Sequence, residues 1–198
     1  MNSIVYRNGS GDRHRAGGLP AVEDVDIGAK EWWVNGLRHR KGGLPAVENA
    51  NGDKEWWVNG QRHREGGLPA IEYADDGSKS WYVNGQLHRE GGLPAVVWSG
   101  GTKSWYVNGH RHREGGLPAV ELVNGTKSWW LCGRKLSDDK VIAYTSFCKK
   151  MVEKKRIVAE KKIYFWWIQI CYDLEHPSGC GKRMALKNLE EFENMMKT

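Results

Sequence analysis

The chain has 198 residues and a formal net charge of +6, with 25 glycines and 11 tryptophans but only 3 phenylalanines. This length allows one large domain or two small ones. So many glycines indicate many turns, a composition that argues against a compact enzyme. Basic and acidic residues are mixed along the chain, so the charge specifies no partner, and a solvated basic surface is its simplest interpretation.

The N-terminal segment, the longest apolar run and the cysteines indicate the compartment. Residues 1–15 are polar and lack the apolar core of a signal peptide. The apolar run 163–171 has about half of the ~20 residues that a membrane-spanning helix needs. We therefore expect a soluble, intracellular protein with reduced thiols. All of its cysteines lie in the last third of the sequence: Cys132, Cys148, Cys171 and Cys180.

A sequence motif of about fifteen residues, W-Y/W-V-N-G-x-x-H-R-E-G-G-L-P-A, recurs along the first two thirds of the chain. Its histidines are spaced by 25, 24, 25 and 24 residues, at His14, His39, His63, His88 and His112. Its first aromatic residues are spaced by 24, 25, 24 and 24 residues, at Trp32, Trp56, Trp81, Trp105 and Trp129. A period of this length predicts a stacked array of one supersecondary unit.

Each repeat contains two turn signals, which predict two strands per repeat and an antiparallel β-meander of about ten strands. The first signal lies before the lysine, and we expect mirror-image two-residue turns there at Asn51-Gly52, Gly100-Gly101 and Asn124-Gly125, and a three-residue loop ending at Gly77. Because the extra residue of the longer repeats falls in this loop, the flanking register stays intact. The second signal is V-N-G, at Asn35, Asn59, Asn84 and Asn108.

These turns predict which residues face each other. Across the first turn, Val47 faces Trp56, and the four equivalent pairs are Val22–Trp32, Ile71–Trp81, Val96–Trp105 and Val120–Trp129. Across the second turn, the same register predicts the pairs Trp56–His63, Glu55–Arg64 and Lys54–Glu65. The first of these registers also places Glu48 opposite Glu55, where like charges repel. A one-residue slip in the first hairpin therefore stays open.

Alternation along the strands predicts two aromatic columns. The tryptophan column is expected to be buried and structural, together with Val34, Val58, Val83, Val107 and Leu131; it consists of Trp32, Trp56, Trp81, Trp105 and Trp129. The glycines of the first turn are also expected to be structural, because they form the turn; they are Gly52, Gly77, Gly101 and Gly125. The outer aromatic column is expected to lie in a polar setting, where it is a candidate binding surface; it consists of Trp33, Trp57, Tyr82, Tyr106 and Trp130.

The repeated motif resembles a MORN-type repeat, most strongly over residues 29–134 and partly over residues 4–28. The shared features are the aromatic residue with the N-G turn and the following histidine and glycine, whereas G-G-L-P-A departs from the common form. This variant resembles repeat proteins of large DNA viruses of amoebae. The resemblance implies a single elongated β-meander, attachment to protein or membrane rather than catalysis, and a place in the host cytoplasm or virion.

Residues 135–198 lie outside the resemblance and form a second, helical region. Ser137 is a plausible helix cap, and the spacing of Val141, Tyr144, Cys148 and Met151 predicts one helix face. Two further helices are expected over the apolar run that begins at residue 163 and over 185–196. Because the ends of repeat arrays need covering, we expect these helices to cap the sheet, with partner docking as the alternative.

The sequence predicts no catalytic site, no cofactor and no metal. Equivalent histidines lie two strands apart, roughly 9–10 Å by the strand spacing, so they cannot share one zinc ion. Cys171, His176 and Cys180, with Cys148 upstream, lack a standard zinc spacing, and buried thiols are the simpler interpretation. Nucleophile-elbow, P-loop and dinucleotide motifs are missing from the sequence.

Two hypotheses of function remain. The leading one is a non-enzymatic repeat scaffold that binds another protein, or another copy of itself, through the outer aromatic column or exposed edges, without a small-molecule substrate. The alternative is a peripheral binder of anionic membrane lipid or nucleic acid, which would use the basic segment 149–162 and a row of arginines beside the outer column. That row consists of Arg40, Arg64, Arg89 and Arg113.

Overall fold

The computed structural model describes residues 2–154, with side chains described as far as residue 150, and these residues form two compact units. The first unit contains the described residues up to Gly109, together with Val120–Thr126. The second contains His110–Ala119 and the described residues from Lys127 onward. The described chain is mainly β, an antiparallel meander followed by a helix, as the repeat pattern predicts.

The strands are short, mostly two residues long. In chain order they are β1 (Ser3–Val5), β2 (Val22–Asp24), β3 (Lys30–Glu31), β4 (Trp33–Val34), β5 (Leu37–Arg38), β6 (Val47–Glu48), β7 (Lys54–Glu55), β8 (Trp57–Val58), β9 (Gln61–Arg62), β10 (Ile71–Glu72), β11 (Lys79–Ser80), β12 (Tyr82–Val83), β13 (Gln86–Leu87), β14 (Val96–Val97), β15 (Lys103–Ser104), β16 (Tyr106–Val107), β17 (His110–Arg111), β18 (Val120–Glu121), β19 (Lys127–Ser128), β20 (Trp130–Leu131) and β21 (Arg134–Lys135).

Ten strands of the first unit form one sheet, in the order β1-β2-β3-β6-β7-β10-β11-β14-β15-β18. The chain leaves this sheet at each residue of the tryptophan column and makes a two-stranded side hairpin, such as β4–β5 or β8–β9. The N-G turn of the side hairpin has positive φ at both residues, 46° at Asn35 and 77° at Gly36. That is the mirror-image turn whose twist matches a hairpin, so the V-N-G signal predicts this connection correctly.

The other connection differs from the prediction by one residue. The N–H of Asn49 donates to the carbonyl of Asp53 at 2.9 Å, which closes a three-residue loop, and Gly52 has φ of 90° while Asn51 does not have positive φ. This is a type I turn followed by a left-handed glycine, and not a two-residue mirror-image turn. The longer repeats have a four-residue loop instead, closed in the third repeat by Tyr73 N–H and Ser78 carbonyl at 3.0 Å. The loop therefore does absorb the extra residue.

The changed loop shifts the register of the first hairpin. Val47 pairs with Glu55 rather than with Trp56, and Glu48 pairs with Lys54 rather than with Glu55. The same shift replaces the other predicted valine or isoleucine pairings of the first unit for which the register is described: Val22 pairs with Glu31, Ile71 with Ser80, and Val96 with Ser104. The like-charge pair is thereby avoided, and the one-residue slip that the sequence left open is the observed arrangement.

The second predicted register holds only near the side hairpin. His63 N–H donates to the carbonyl of Trp56 at 3.1 Å, as expected for that pair. The pairs Glu55–Arg64 and Lys54–Glu65 are wrong, because the chain changes direction at Trp56 and β7 pairs instead with β6 and β10.

The core of the first unit consists of the tryptophan column, the alanine of each G-G-L-P-A segment and the strand residues Val47, Ile71 and Val96. Trp32, Trp56, Trp81 and Trp105 have between 4% and 8% of their surface exposed, and Ala46 and its equivalents have none. In the second unit, Trp129 is half-buried and Leu131 is buried. The prediction that Val34 and Val58 are buried is wrong: both are exposed, because the chain has left the sheet before them. Val83 and Val107 are half-buried.

The second unit contains the helix α1 (Asp138–Lys154). The Val141 N–H donates to the carbonyl of Ser137 at 2.9 Å, so the helix begins where the sequence predicts. A Cβ added to Gly116 would lie 3.0 Å from the Cβ of Cys148, so α1 packs directly on the G-G loop of this unit. The helices predicted beyond residue 162, and most of the basic segment 149–162, lie outside the described residues. Among described residues, no helix is long and apolar enough to cross a membrane.

Candidate interaction surface

The tryptophan column holds the G-G loops in place. The indole Nε1 of each tryptophan donates to the carbonyl of the second glycine, at 2.8–3.0 Å in all five repeats. Both glycines of each loop have positive φ, for example 77° at Gly42 and 68° at Gly43. Two consecutive left-handed residues turn the chain back over the indole, a conformation that other residue types adopt only at a cost. The column is therefore a structural element of the loops.

The predicted arginine row lies on the tryptophan column and not beside the outer aromatic column. The guanidinium carbon of Arg40 is 3.5 Å from the ring centroid of Trp32, that of Arg64 is 3.5 Å from Trp56, and that of Arg89 is 3.7 Å from Trp81. Each Nη1, including that of Arg113 in the second unit, also donates to the carbonyl of the proline in its own loop, at 3.0–3.4 Å. These contacts fix the arginines within the loop, so the expected placement is wrong.

The repeated histidines link successive repeats. The Nδ1 atom of His14 accepts the backbone N–H of Asn35 in the next turn at 3.2 Å, and His39, His63 and His88 accept the equivalent N–H at 3.2–3.4 Å. In the last repeat Cys132 replaces that asparagine, and the buried Nδ1 of His112 has no hydrogen-bond partner among the residues that the structure describes. Burial lowers the pKa of His112 to about 4, so its imidazole is neutral near neutral pH.

These histidines do not assemble into a metal site. Within the part of the chain that the structure describes, no group of three or more histidine, cysteine, aspartate or glutamate side chains is placed to hold a metal ion. The cysteines at 171 and 180, and His176, lie outside it. Burial raises the pKa of the Cys148 thiol, and Cys132 is buried.

Different arginines lie along the outer aromatic column, two positions before the predicted ones. The guanidinium of Arg38 lies between two rings, 5.0 Å from the centroid of Trp33 and 5.2 Å from that of Trp57. Arg62 lies in the same way between Trp57, at 4.8 Å, and Tyr82, at 5.6 Å. The sequence signal for these arginines is R-H-R. The arginine before the histidine lies in the side hairpin, along the outer aromatic column, whereas the arginine after the histidine lies on the tryptophan column.

Carboxylates pair with the arginines along the first part of the outer aromatic column. Glu31 accepts a hydrogen bond from the Trp33 indole at 2.7 Å and from Arg38 at 3.0 Å, and Glu55 does the same for Trp57 at 2.9 Å and Arg62 at 3.1 Å. The later repeats of the first unit have Ser80 and Ser104 at the glutamate position, beside the half-buried rings of Tyr82 and Tyr106. The column thus changes from charged to uncharged along the first unit.

Tyr73 is a further neighbour of the outer aromatic column in the first unit, and Trp130 is the member of the column in the second unit. Burial, and then the proximity of Tyr82 and Glu55, raises the pKa of Tyr73, which is exposed beside them. In the second unit the Trp130 ring is half-buried and the Arg111 guanidinium lies 4.9 Å from its centroid.

A row of leucines was missed in the sequence. The leucine of every G-G-L-P-A segment is about half exposed, between 48% and 51%, although the next-but-one alanine is fully buried; the row consists of Leu19, Leu44, Leu68 and Leu93 in the first unit and Leu117 in the second. The G-G loop is not a strand, so alternation could not place these side chains. We call this set the leucine row.

The leucine row and the outer aromatic column meet in grooves. One groove of about 340 Å³ is lined by Leu19, Trp33 and Val34, among others, and a second of about 530 Å³ is lined by Leu44, Trp57 and Val58. Aromatic rings, arginines and leucines in a groove are the composition of energetically dominant positions in protein interfaces.

Comparison with known proteins adds no relative. No family model, curated protein or solved structure matches the chain, so the MORN-type resemblance stays a prediction.

Proposed function

We propose that the protein is a non-enzymatic repeat scaffold that binds another protein along the leucine row and the outer aromatic column. One observation carries this proposal: a leucine is about half exposed at the same place in every repeat, and in the first two repeats it lines a groove with a ring of the outer aromatic column. Isolated exposed leucines are ordinary, but a contiguous apolar row rimmed by polar groups is typical of interaction sites.

The fold does not need these side chains. The hydrogen bonds of the loops use the tryptophan column, and the buried apolar atoms of the first unit come from the tryptophans, the alanines and the strand residues Val47, Ile71 and Val96. Repeats of two strands place equivalent side chains roughly 9–10 Å apart, so a partner segment lying across the repeats meets one leucine and one ring per step. Such a surface suits a protein segment with regularly spaced apolar residues.

The alternative partner, anionic lipid or nucleic acid, is less well supported by the arrangement of charges. Arginines beside aromatic rings can stack on single-stranded bases. However, Glu31 and Glu55 already lie at hydrogen-bond distance from Arg38 and Arg62, and they would repel a phosphate backbone. The resemblance to MORN-type proteins, including those of large DNA viruses, implies attachment rather than catalysis and is compatible with a scaffold.

The test uses variants of the leucine row. We expect a Leu44→Ser/Leu68→Ser double variant to lose proteins that the wild type captures from a lysate of the source cell, whereas Val25→Ser, at a still more exposed apolar position away from the row, retains them. Size-exclusion chromatography with light scattering distinguishes a foreign partner from a second copy. Capture that is unaffected by the double variant would refute the proposal. Leucine-dependent binding to anionic vesicles or single-stranded DNA, without protein capture, would favour the alternative.

A further inference from the structure

The outward face of the main sheet carries a lysine–glutamate ladder. Lys30 pairs across the strands with Glu48, and Glu48 pairs with Lys54 on its other side. The alternation continues through Glu72 to Lys79, and from Lys103 to Glu121. Directly opposite side chains of this kind lie about 5 Å apart at Cβ, so Glu48 and Glu72 each have a lysine on both sides.

An arginine from the loop completes the surroundings of these glutamates. Arg40 Nη1 donates to Glu48 at 2.8 Å and Arg64 Nη1 donates to Glu72 at 2.7 Å, while Arg15 pairs with Glu23 in the same manner. The carboxylates of Glu48 and Glu72 therefore each lie among three cations, one arginine and two lysines. The arginine is itself held by the tryptophan ring and the proline carbonyl, which fixes the position of its nitrogen atoms.

The fourth repeat keeps the cations and lacks the carboxylate. Val97 occupies the glutamate position, between Lys79 on one side and Lys103 on the other. Arg89 still stacks on Trp81 at 3.7 Å and donates to the Pro94 carbonyl at 3.4 Å, but among the described residues it forms no ion pair. Burial alone lowers the pKa of Arg89, and a guanidinium remains protonated regardless.

We propose that Arg89, Lys79 and Lys103 bind a carboxylate side chain of the protein partner, in the place that a glutamate of the chain itself occupies in the neighbouring repeats. This inference rests on the proposed function and names the chemistry of the partner: an aspartate or glutamate beside an apolar residue. The charge is complementary, since three cations surround one position, Arg89 among them is held by the Trp81 ring and the Pro94 carbonyl, and the residue at that position is uncharged.

Two observations favour a carboxylate over a phosphate. The site repeats the geometry that holds the carboxylates of Glu48 and Glu72, down to the same Nη1 atom of the arginine. Glu72 and Glu121 still flank Lys79 and Lys103 on their far sides, and they would repel a dianion more than a monoanion. Val97 and the exposed ring of Trp98 next to it supply apolar surface for the neighbour of the acidic residue.

The experiment selects ligands and then fills the site from within. A phage-displayed library of random peptides is panned against the full-length protein, and the enriched peptides are synthesised and titrated by fluorescence anisotropy. We expect them to share an Asp or Glu beside an apolar residue, and Val97→Glu, which restores the ladder, to weaken their binding by about tenfold or more. Arg89→Gln should weaken it similarly without filling any space.

The matched control is Val123→Glu, which adds the same charge at a position that is 74% exposed and outside the ladder; it should leave peptide affinity nearly unchanged. Enriched peptides without an acidic residue would overturn the inference, as would binding that Val97→Glu and Arg89→Gln do not weaken. If such peptides depend on Leu44 and Leu68 instead, the proposed function stands and only the carboxylate site fails. Arg89-dependent binding of inorganic phosphate or single-stranded DNA that exceeds peptide binding would also overturn it.

Discussion

Replacing one tryptophan of each aromatic column tests which column stabilises the fold: Trp56 is buried, whereas Trp57 is half-buried. Trp56→Phe removes the indole N–H that donates to the Gly43 carbonyl at 2.8 Å, weakens the contact with Arg64 at 3.5 Å and leaves a gap in a site that is 5% exposed. The lost hydrogen bond costs about 1 kcal/mol, because Gly43 is exposed and water can replace the donor. With the weaker cation–π contact and the gap, we expect a total of about 2–4 kcal/mol in the free energy of unfolding.

The matched control is the next residue. Trp57→Phe removes a similar hydrogen bond, to Glu55 at 2.9 Å, but its ring is half-buried, so we expect a loss below about 1 kcal/mol. Urea unfolding followed by far-ultraviolet circular dichroism measures both variants against the wild type. Equal losses for the two variants, or a larger loss for Trp57→Phe, would refute the assignment of the two columns.

The loop geometry and the buried histidine give two more predictions. Gly101→Ala should lower the free energy of unfolding in urea by about 1–2 kcal/mol, because φ is 88° at Gly101. Gly100→Ala should lower it by less than about 0.5 kcal/mol, because Gly100 does not have positive φ. A two-residue mirror-image turn would have positive φ at both glycines, and both substitutions would then be costly. The pKa of His112 lies near 4 in the folded chain and near 6.5 in the unfolded chain, so below about pH 6.5 the unfolded chain binds a proton that the folded chain does not. The free energy of unfolding should therefore be unaffected by His112 above about pH 6.5 and fall by up to about 3 kcal/mol towards pH 4. A His112→Gln variant should lack this part of the pH dependence, and an NMR titration of the imidazole with a midpoint near 6.5 would contradict it.

The period of the repeat was sufficient to predict the antiparallel meander, the two turns per repeat and the burial of the tryptophans in the first unit, but not the division of each repeat into main-sheet strands and a side hairpin. Regular spacing forces equivalent residues into equivalent places, so the burial of Trp56 predicts that of Trp81. The loop type could not be predicted with the same security, because Asn51-Gly52 fits either a two-residue turn or the end of a three-residue loop. The two differ by one residue of register, and the expected repulsion between Glu48 and Glu55 was the signal that kept the second register open.

The candidate surface was harder to predict because it depends on where the chain leaves the sheet. A break at Trp32 reverses the alternation, so Val34 becomes exposed and Arg38, not Arg40, reaches the outer aromatic column. The two left-handed glycines before each leucine likewise lie outside any strand pattern. Periodicity therefore identified which residues recur, whereas the backbone conformation at the breaks determined which of them face the solvent.

The most direct test of the account is hydroxyl-radical footprinting of the tryptophans, read by mass spectrometry. The account predicts that Trp33 and Trp57 are oxidised while Trp32, Trp56, Trp81 and Trp105 are protected until the chain unfolds, and that a bound protein partner protects Trp33 and Trp57 as well. Similar oxidation of both columns in the native protein, or partner binding that leaves Trp33 and Trp57 as reactive as before, would contradict it.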